Sequence, residues 1–509
     1  MGAPCRRSGD HGCGGIVASP CDSPPTGVSQ PYEGCVTWGA RQRCPGDRGV
    51  DPLLTAAYVA VGEKALAAAS IRSLGVIKRW PTSDITSDGA LITYMTTSRR
   101  TTSGPEPSPN RPEPSPNRPE PSPNRPAARF DGRRIRVALI GAGAIARGSH
   151  YPALATLAAE GETEIVAAVD IAEGAVREFC AEAGIPHAYT DLDRMLAEQR
   201  PDLVAICTPP TVHREQTVAA LRAGAWVWCE KPPVPTLADF DAVEAAEGTD
   251  GGPYAAIVFQ HRFGSGTRHV RRLLAEGAMG RPLVAHCQTT WYRNADYYAV
   301  PWRGRWETEG GGPSMGHGIH QMDLLLDLLG PWSEVRAMAG RLVHDVETED
   351  VSTALVRFAS GAMATVVNSV LSPDEASRIR VDCERATVEL THLYGHSNDN
   401  WRIIPTPDVP DTAVAAWRDF GADVPSSHLA QLRELVASMR AGERPRSSGA
   451  DGRTSLELIT ALYKAAFTDT TVRAGEIGSG DPYYTALHGG APGWAPVVGQ
   501  PAPSTEVPA

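Results

Sequence analysis

One twelve-residue stretch constrains this chain more than any other. Ile135-Arg-Val-Ala-Leu-Ile140 is a short apolar run that leads straight into Gly141-Ala-Gly143-Ala-Ile-Ala146 and then into a helical pattern. A strand, a glycine turn and a helix in that order make the first unit of a dinucleotide-binding fold. Gly141 permits the tight turn, Gly143 lets backbone approach a pyrophosphate, and the small Ala146 lets helix and strand pack closely. The helix N-terminus then offers its free amides and positive dipole end to the phosphates. Gly141, Gly143, Ala144 and Ile145 are the candidate phosphate contacts. The second strand of the unit closes on Asp170 (Glu164-Ile-Val-Ala-Ala-Val-Asp170). A carboxylate there accepts both ribose hydroxyls and repels a 2′-phosphate, which favours NAD over NADP. A helix cap would account for Asp170 equally well.

The pattern repeats downstream. Strands are expected at 164–169, 203–207 and 226–229, with helices at 173–183 and 213–223 between them. Alternating strands and helices imply a doubly wound parallel sheet, the N-terminal Rossmann domain of an α/β protein, spanning 134–258. Beyond it the texture changes. A strand at 284–291, a helix at 322–329 and alternating segments at 335–342, 351–358, 362–370, 378–382 and 386–390 suggest one large antiparallel sheet. Helices are expected at 428–441 and 455–467. This second α/β domain covers 259–472, and the Gly- and Pro-rich residues 473–509 read as a loose tail.

Residues 1–130 read differently, as a disordered low-complexity leader that the folded protein can do without. Pro105-Glu-Pro-Ser-Pro-Asn-Arg111 recurs in tandem to Arg125. Proline at alternate positions removes donors and blocks helix, so such a tract is extended and buries nothing.

A net charge of -11 argues against nucleic acid, which calls for a basic face. No apolar run reaches the length of a membrane span. Arg6 and Arg7 are followed by no apolar segment, so no secretory signal is expected. Neither the cysteines of the leader nor Cys180, Cys207, Cys229, Cys287 and Cys383 show CxxC spacing, so no metal is expected. Single cysteines within strands fit a reduced, cytoplasmic enzyme.

Two further motifs follow the glycine turn, Cys207-Thr-Pro-Pro-Thr-Val-His213 and Cys229-Glu-Lys-Pro232. Gly310-Gly-Gly312 then precedes Gly318-Ile-His320-Gln-Met-Asp323. With these motifs the chain resembles the Gfo/Idh/MocA oxidoreductases from about residue 134 to 472. The resemblance implies a Rossmann domain plus a second domain whose large open antiparallel sheet mediates homodimers or homotetramers. It implies NAD, with NADP as the other option, and hydride transfer to or from a sugar, cyclitol or related polyol. Lys231 and His320 become the catalytic candidates, with Thr208, Pro209, His213, Glu230 and Lys231 along the cofactor. His213 is expected to fix the Thr-Pro-Pro loop. His317, Asp323, Arg293 and Trp302 are candidates for substrate binding; Asp323 could instead serve as a cap, and the Trp-Arg segments as inter-domain anchors. The resemblance also leads one to expect an aspartate four residues before His320, where this chain has Gly316. The missing carboxylate leaves open an NAD-dependent glycosidase- or epimerase-like reaction, or a regulatory protein that binds NAD without turnover.

Overall fold

The computed structural model describes Phe130 and residues 132–490. The expected leader, except Phe130, and the end of the tail lie outside the described residues; Phe130, counted there with the leader, is buried in the cluster of the first sheet. Six strands come first: β1 Ile135–Ile140, β2 Thr163–Val169, β3 His187–Tyr189, β4 Leu203–Ile206, β5 Trp226–Cys229 and β6 Ala255–Ile257. Helices α1 Tyr151–Ala159, α2 Glu173–Ala183, α3 Leu192–Gln199, α4 His213–Arg222 and α5 Leu237–Glu244 alternate with them. The strands pair in the order β3-β2-β1-β4-β5-β6, and every pair is parallel. β4 reads LVAI and β5 reads WVWC, and every residue of both is buried. A central parallel strand is covered on both faces, so its pattern is a continuous apolar run. Strand order reverses between β1 and β4. Such a reversal opens a crevice at the carboxyl ends of the strands, and Gly141, Asp170, Thr208 and Lys231 follow β1, β2, β4 and β5 at that edge.

The chain then forms α6 Ser265–Ala275, β7 Pro282–Tyr292 and four helices, α7 Ala295–Tyr298, α8 Trp306–Glu309, α9 Pro313–Gly316 and α10 Ile319–Leu329. Strands β8 Trp332–Gly340, β9 Val351–Phe358, β10 Met363–Ser369, β11 Leu371–Cys383, β12 Ala386–His392 and β13 Trp401–Pro405 follow. The chain continues through α11 Asp411–Arg418, α12 His428–Ala441, α13 Gly449–Thr468, β14 Val472–Arg473 and α14 Pro482–Thr485. The second sheet has the order β13-β12-β11-β7-β10-β9-β8-β14. Its pairs are antiparallel except β7 with β10. The sheet expected as antiparallel is therefore mixed at one pair. The helices and the β8–β9 hairpin between these two strands form the long crossover that a parallel neighbour requires.

Alternation sorts the two faces of this sheet. In β9, Ala354, Val356 and Phe358 are buried while Thr353, Leu355 and Arg357 are exposed. The inner face shares one apolar cluster with α10 and α13. The outer face carries the exposed Met338, Leu355 and Met363.

Two expectations change. Helix α12 belongs by sequence to the second domain, yet its Leu432, Leu435, Val436 and Met439 cluster with Leu139 of β1 and Trp228 of β5. The tail expected to be loose after 472 is packed as far as it is described. β14 pairs with β8, and Ile477, Tyr483 and Leu487 are buried in the main cluster. Gly- and Pro-rich composition argues against regular structure; it does not stop isolated apolar side chains from filling a groove.

Candidate active site

The glycine turn follows directly from β1. Gly141 has φ +95°, and a Cβ there would lie 3.0 Å from the Cys207 carbonyl oxygen. Only glycine allows both the left-handed conformation and this approach of two strand ends. A Cβ on Gly143 would meet nothing within 4 Å, so the backbone here faces open space. Ala144 and Ile145 lead into a π-helical turn at Ala146–His150 that continues as α1. Asp170 closes β2; its carboxylate accepts from Ala142 N at 2.8 Å and from Ala172 N at 2.9 Å. These two bonds fix the carboxylate beside the turn. Ile171 next to it is 95% exposed. An open backbone cradle, a fixed carboxylate and an uncovered apolar side chain in a row fit the pyrophosphate, ribose and adenine of a dinucleotide.

At the end of β4 the Thr-Pro-Pro loop is held by His213. The ring nitrogens lie 2.9 Å from the Pro232 carbonyl and 2.8 Å from the Thr208 carbonyl. Burial keeps this imidazole neutral, so its single N–H serves one of the two at a time. Thr208 donates to Gln216 at 2.6 Å, and Pro209 lies exposed at the loop's tip.

Glu230, expected along the cofactor, turns inward. One oxygen accepts from His150 and from His428, each at 2.9 Å. The other lies 3.2 Å from Lys231 N. Burial alone would raise this carboxyl; the two imidazoles hold it well below the usual carboxylate range. The three donor atoms lie within 4.8 Å of one another, a grouping that could hold a metal ion. Here the carboxylate is satisfied by the imidazoles themselves. His428 opens α12, so this contact joins α12 to the end of β5. No local sequence pattern announces it.

Lys231 leaves β5 in the opposite sense. Its Nζ donates to the Gly316 carbonyl at 3.0 Å. Burial lowers its pKa, against the opposing pull of Glu230 and Glu309. His320, in the first turn of α10, is 4% exposed, and neither ring nitrogen has a hydrogen-bond partner among the described residues. Burial, with the Lys231 charge next, holds it well below its ordinary pKa, hence neutral. His317 is half-buried between Trp291, at 5.0 Å between ring centroids, and Tyr297, whose hydroxyl lies 3.5 Å from Nε2. Gly316 thus brings Lys231, His317 and His320 to one place.

Glu309, which sequence reasoning did not single out, lies at the same place. Gly304 N donates to its Oε2 at 2.6 Å and Arg303 to its Oε1 at 3.3 Å. Arg303 also donates to the Tyr297 hydroxyl.

Asp323 is elsewhere. Expected to bind substrate, it is fully buried and takes both forks of Arg262 at 2.7 and 2.6 Å, together with Ser455 at 2.7 Å. Its position on α10 faces the core, so it is an internal ion-pair partner. Arg293 stacks over Trp291 and Tyr297 and bonds Glu375 at 3.1 Å. It braces the wall behind His317. Trp302 is 42% exposed beneath Arg303, at the rim.

Comparison with known proteins accords with this geometry. Residues 135–255 match the model of an oxidoreductase family with an NAD-binding Rossmann fold, and 267–389 match the GFO/IDH/MocA C-terminal domain. D-apiose dehydrogenase of Paraburkholderia graminis is 29% identical over 382 residues, 70% of this chain and 95% of that protein. D-glucoside 3-dehydrogenase of Escherichia coli is 26% identical, over 66% of this chain and 97% of its own. The structure of the WlbA dehydrogenase from Bordetella pertussis in complex with NADH and UDP-GlcNAcA superposes with a TM-score of 0.59 at 26% identity, over 68% of this chain and all of that one.

Proposed function

The chain belongs to the Gfo/Idh/MocA oxidoreductases, and from that premise we propose that it is an NAD-dependent dehydrogenase acting on a CH–OH group of a sugar, cyclitol or related polyol. The observation that carries the reading is the meeting of Lys231 and a neutral, unpartnered His320 at Gly316, reached from the strand end next to the crevice. NAD, when bound, accepts or returns the hydride. Gly141, Gly143, Ala144 and Ile145 would hold its phosphates and Asp170 its ribose. His213 keeps the Thr208–Pro209 loop in place, and Glu230 anchors the backbone of Lys231.

Lys231 and His320 have complementary tasks. The ammonium donates to the substrate oxygen and stabilises negative charge that develops there in either direction. His320 offers one N–H and one lone pair, both unspent, to neighbouring hydroxyls. His317, braced by Trp291 and Arg293, and the rim Trp302 supply an aromatic wall of the kind that sugar rings stack on. The relatives named apiose and glucoside dehydrogenases support the polyol class.

We place the protein in the cytoplasm. Cys180, Cys207, Cys229, Cys287 and Cys383 are free and buried, as in a reducing compartment. No helix among the described residues is long and apolar enough to cross a membrane. The uncovered face of the second sheet supports a homodimer or homotetramer.

The test is turnover of NAD+ with a panel of pentoses, hexoses, glucosides and inositols, followed by absorbance of the reduced cofactor. At least one polyol should be oxidised, and Lys231→Ala should lower kcat by about 10²–10⁴-fold. A Lys231→Ala variant with full turnover would sink the assignment. Cofactor that co-purifies without turnover on any polyol would instead favour chemistry with no net redox change.

A further inference from the structure

The site as built from Lys231 and His320 lacks a carboxylate to take up a proton. Oxidation of CH–OH releases a hydride and a hydroxyl proton, and the proton needs a base. Burial opposes charge on both histidines, so each is a weak base whose imidazolium would be costly here, and an ammonium at Lys231 cannot accept. Two of the motif carboxylates are already engaged. Glu230 is saturated by His150, His428 and the Lys231 amide. Asp323 is locked to Arg262 and Ser455. Glu309 is a third carboxylate, and it differs from both.

Its side chain is 12% exposed. A Cβ built on Gly316 would find one neighbour within 4 Å, Glu309 Oε1 at 3.9 Å. The carbonyl of the same glycine receives Lys231 Nζ at 3.0 Å. Carboxylate and ammonium therefore flank one residue, with room for a Cβ beside it. Oε2 is oriented by Gly304 N, while Oε1 has only a 3.3 Å contact with Arg303. The helix that carries Glu309 lies against residues 210–212 of the Thr-Pro-Pro loop, the loop expected over the cofactor. Gly316 is also the position where the family resemblance leads one to expect an aspartate.

We propose that Glu309 is the proton acceptor of this site and delivers from α8 the carboxylate that is missing at Gly316. The proposal rests on the dehydrogenase reading. In the forward direction the substrate O–H bond breaks and its proton goes to Glu309 Oε1. The C–H bond breaks with its electron pair, which leaves as hydride to NAD+, and the carbon–oxygen double bond forms. Lys231 keeps its proton and holds the oxygen. In the reverse direction Glu309 returns the proton.

The charged and titratable groups facing Glu309 are Lys231, Arg303, Tyr297 and Tyr298. Burial raises the Glu309 carboxyl, against Gly304 N, Arg303 and Lys231, which lower it. A raised carboxyl is protonated, and idle as a base, over a wider acid range. Oxidation should therefore fall as pH drops through the Glu309 pKa.

The experiment compares full-length wild type, Glu309→Gln and Glu309→Gln/Gly316→Asp with NAD+ and the polyol found above. Glu309→Gln should lose about 10²–10⁴-fold in kcat and lose the acid limb of the pH profile. The KM for NAD+ should stay within about twofold, since the loss falls on the chemical step. Gly316→Asp in the Glu309→Gln background should recover at least about tenfold of that loss, because the carboxylate returns to the same space. A second readout needs no turnover. The infrared band of a protonated carboxylic acid should appear in wild type as pH falls and be missing at that pH from the Glu309→Gln difference spectrum. A Glu309→Gln variant that keeps its acid limb and kcat within about threefold overturns the proposal. So does a loss in which thermal stability falls and the limb stays, the mark of a structural Arg303 pair. Absence of turnover in wild type overturns the dehydrogenase reading instead.

Discussion

Arg262 and Asp323 are both 1% exposed at their side chains, and neither could stay charged alone in that interior. Asp451, at 2.8 Å, gives Arg262 a second partner. Removing one member of a buried pair leaves the other uncompensated, at a cost of about 3–5 kcal/mol. Asp323→Ala should fall at the lower end, since Asp451 remains, and should leave the KM for polyol unchanged. Denaturant midpoints and steady-state kinetics check this together; unchanged stability with a raised KM would return Asp323 to the substrate site. The surroundings of Asp323 were not legible in the sequence, because a motif position says that a carboxylate opens a helix and says nothing of which way that turn faces. Gly141 was legible for the opposite reason. Its role is set by backbone conformation and by one neighbouring strand end, both encoded within a few residues. Glu309 carries no such signal, because its meaning depends on Gly316, and only the folded chain brings the two together.

At the scale of elements, the long apolar runs and strict alternations located β4, β5, β9 and α2 from sequence. The short pieces that shape the site, α8 and α9, were not anticipated. Each spans four residues, too few for a helical period to show. Their position comes from tertiary partners. Glu349, ahead of β9, accepts from Gly312 N and Ser314 N at 3.0 Å each and from the Tyr463 hydroxyl of α13 at 2.9 Å. It thereby caps α9 and fixes the approach to Gly316. Burial pushes its carboxyl up to about 7, against these donors. A raised carboxyl means that the folded state binds the proton more tightly than the unfolded chain. The associated stability is complete below the unfolded value near 4.5 and is lost as pH rises to about 7. Across that window the loss is on the order of 3 kcal/mol, at about 1.36 kcal/mol per unit. Unfolding by urea from pH 4.5 to 8 should show this decline in wild type and a flatter profile in Glu349→Gln. Equal slopes would mean that Glu349 is ionised throughout.

For the molecule as a whole, the sequence conveyed two sheets and their order along the chain. It did not convey that α12 crosses back to cover the first sheet, because an apolar helix face does not name its partner. That return matters for function. Through His428 it reaches Glu230, so the second half of the chain helps to fix Lys231. Among the described residues nothing covers the outer face of the second sheet at Met338, Leu355 and Met363, which are 76, 63 and 52% exposed on neighbouring strands β8, β9 and β10. Leu355 lies opposite Arg336 on one side and Thr365 on the other, an apolar centre with a polar border. Exposed apolar side chains on three adjacent strands support the homodimer or homotetramer proposed above, since a second copy of the same face is the self-complementary partner that a two-fold dimer needs. Leu355→Glu sets a charge at that centre, and two copies across a two-fold axis would repel. Sedimentation should show wild type as a dimer or tetramer and Leu355→Glu shifted towards monomer. NAD binding should persist, because the cofactor crevice lies at the edge of the other sheet. A wild type that sediments as a monomer, or a variant whose oligomeric state is unchanged, would remove this face from the assembly.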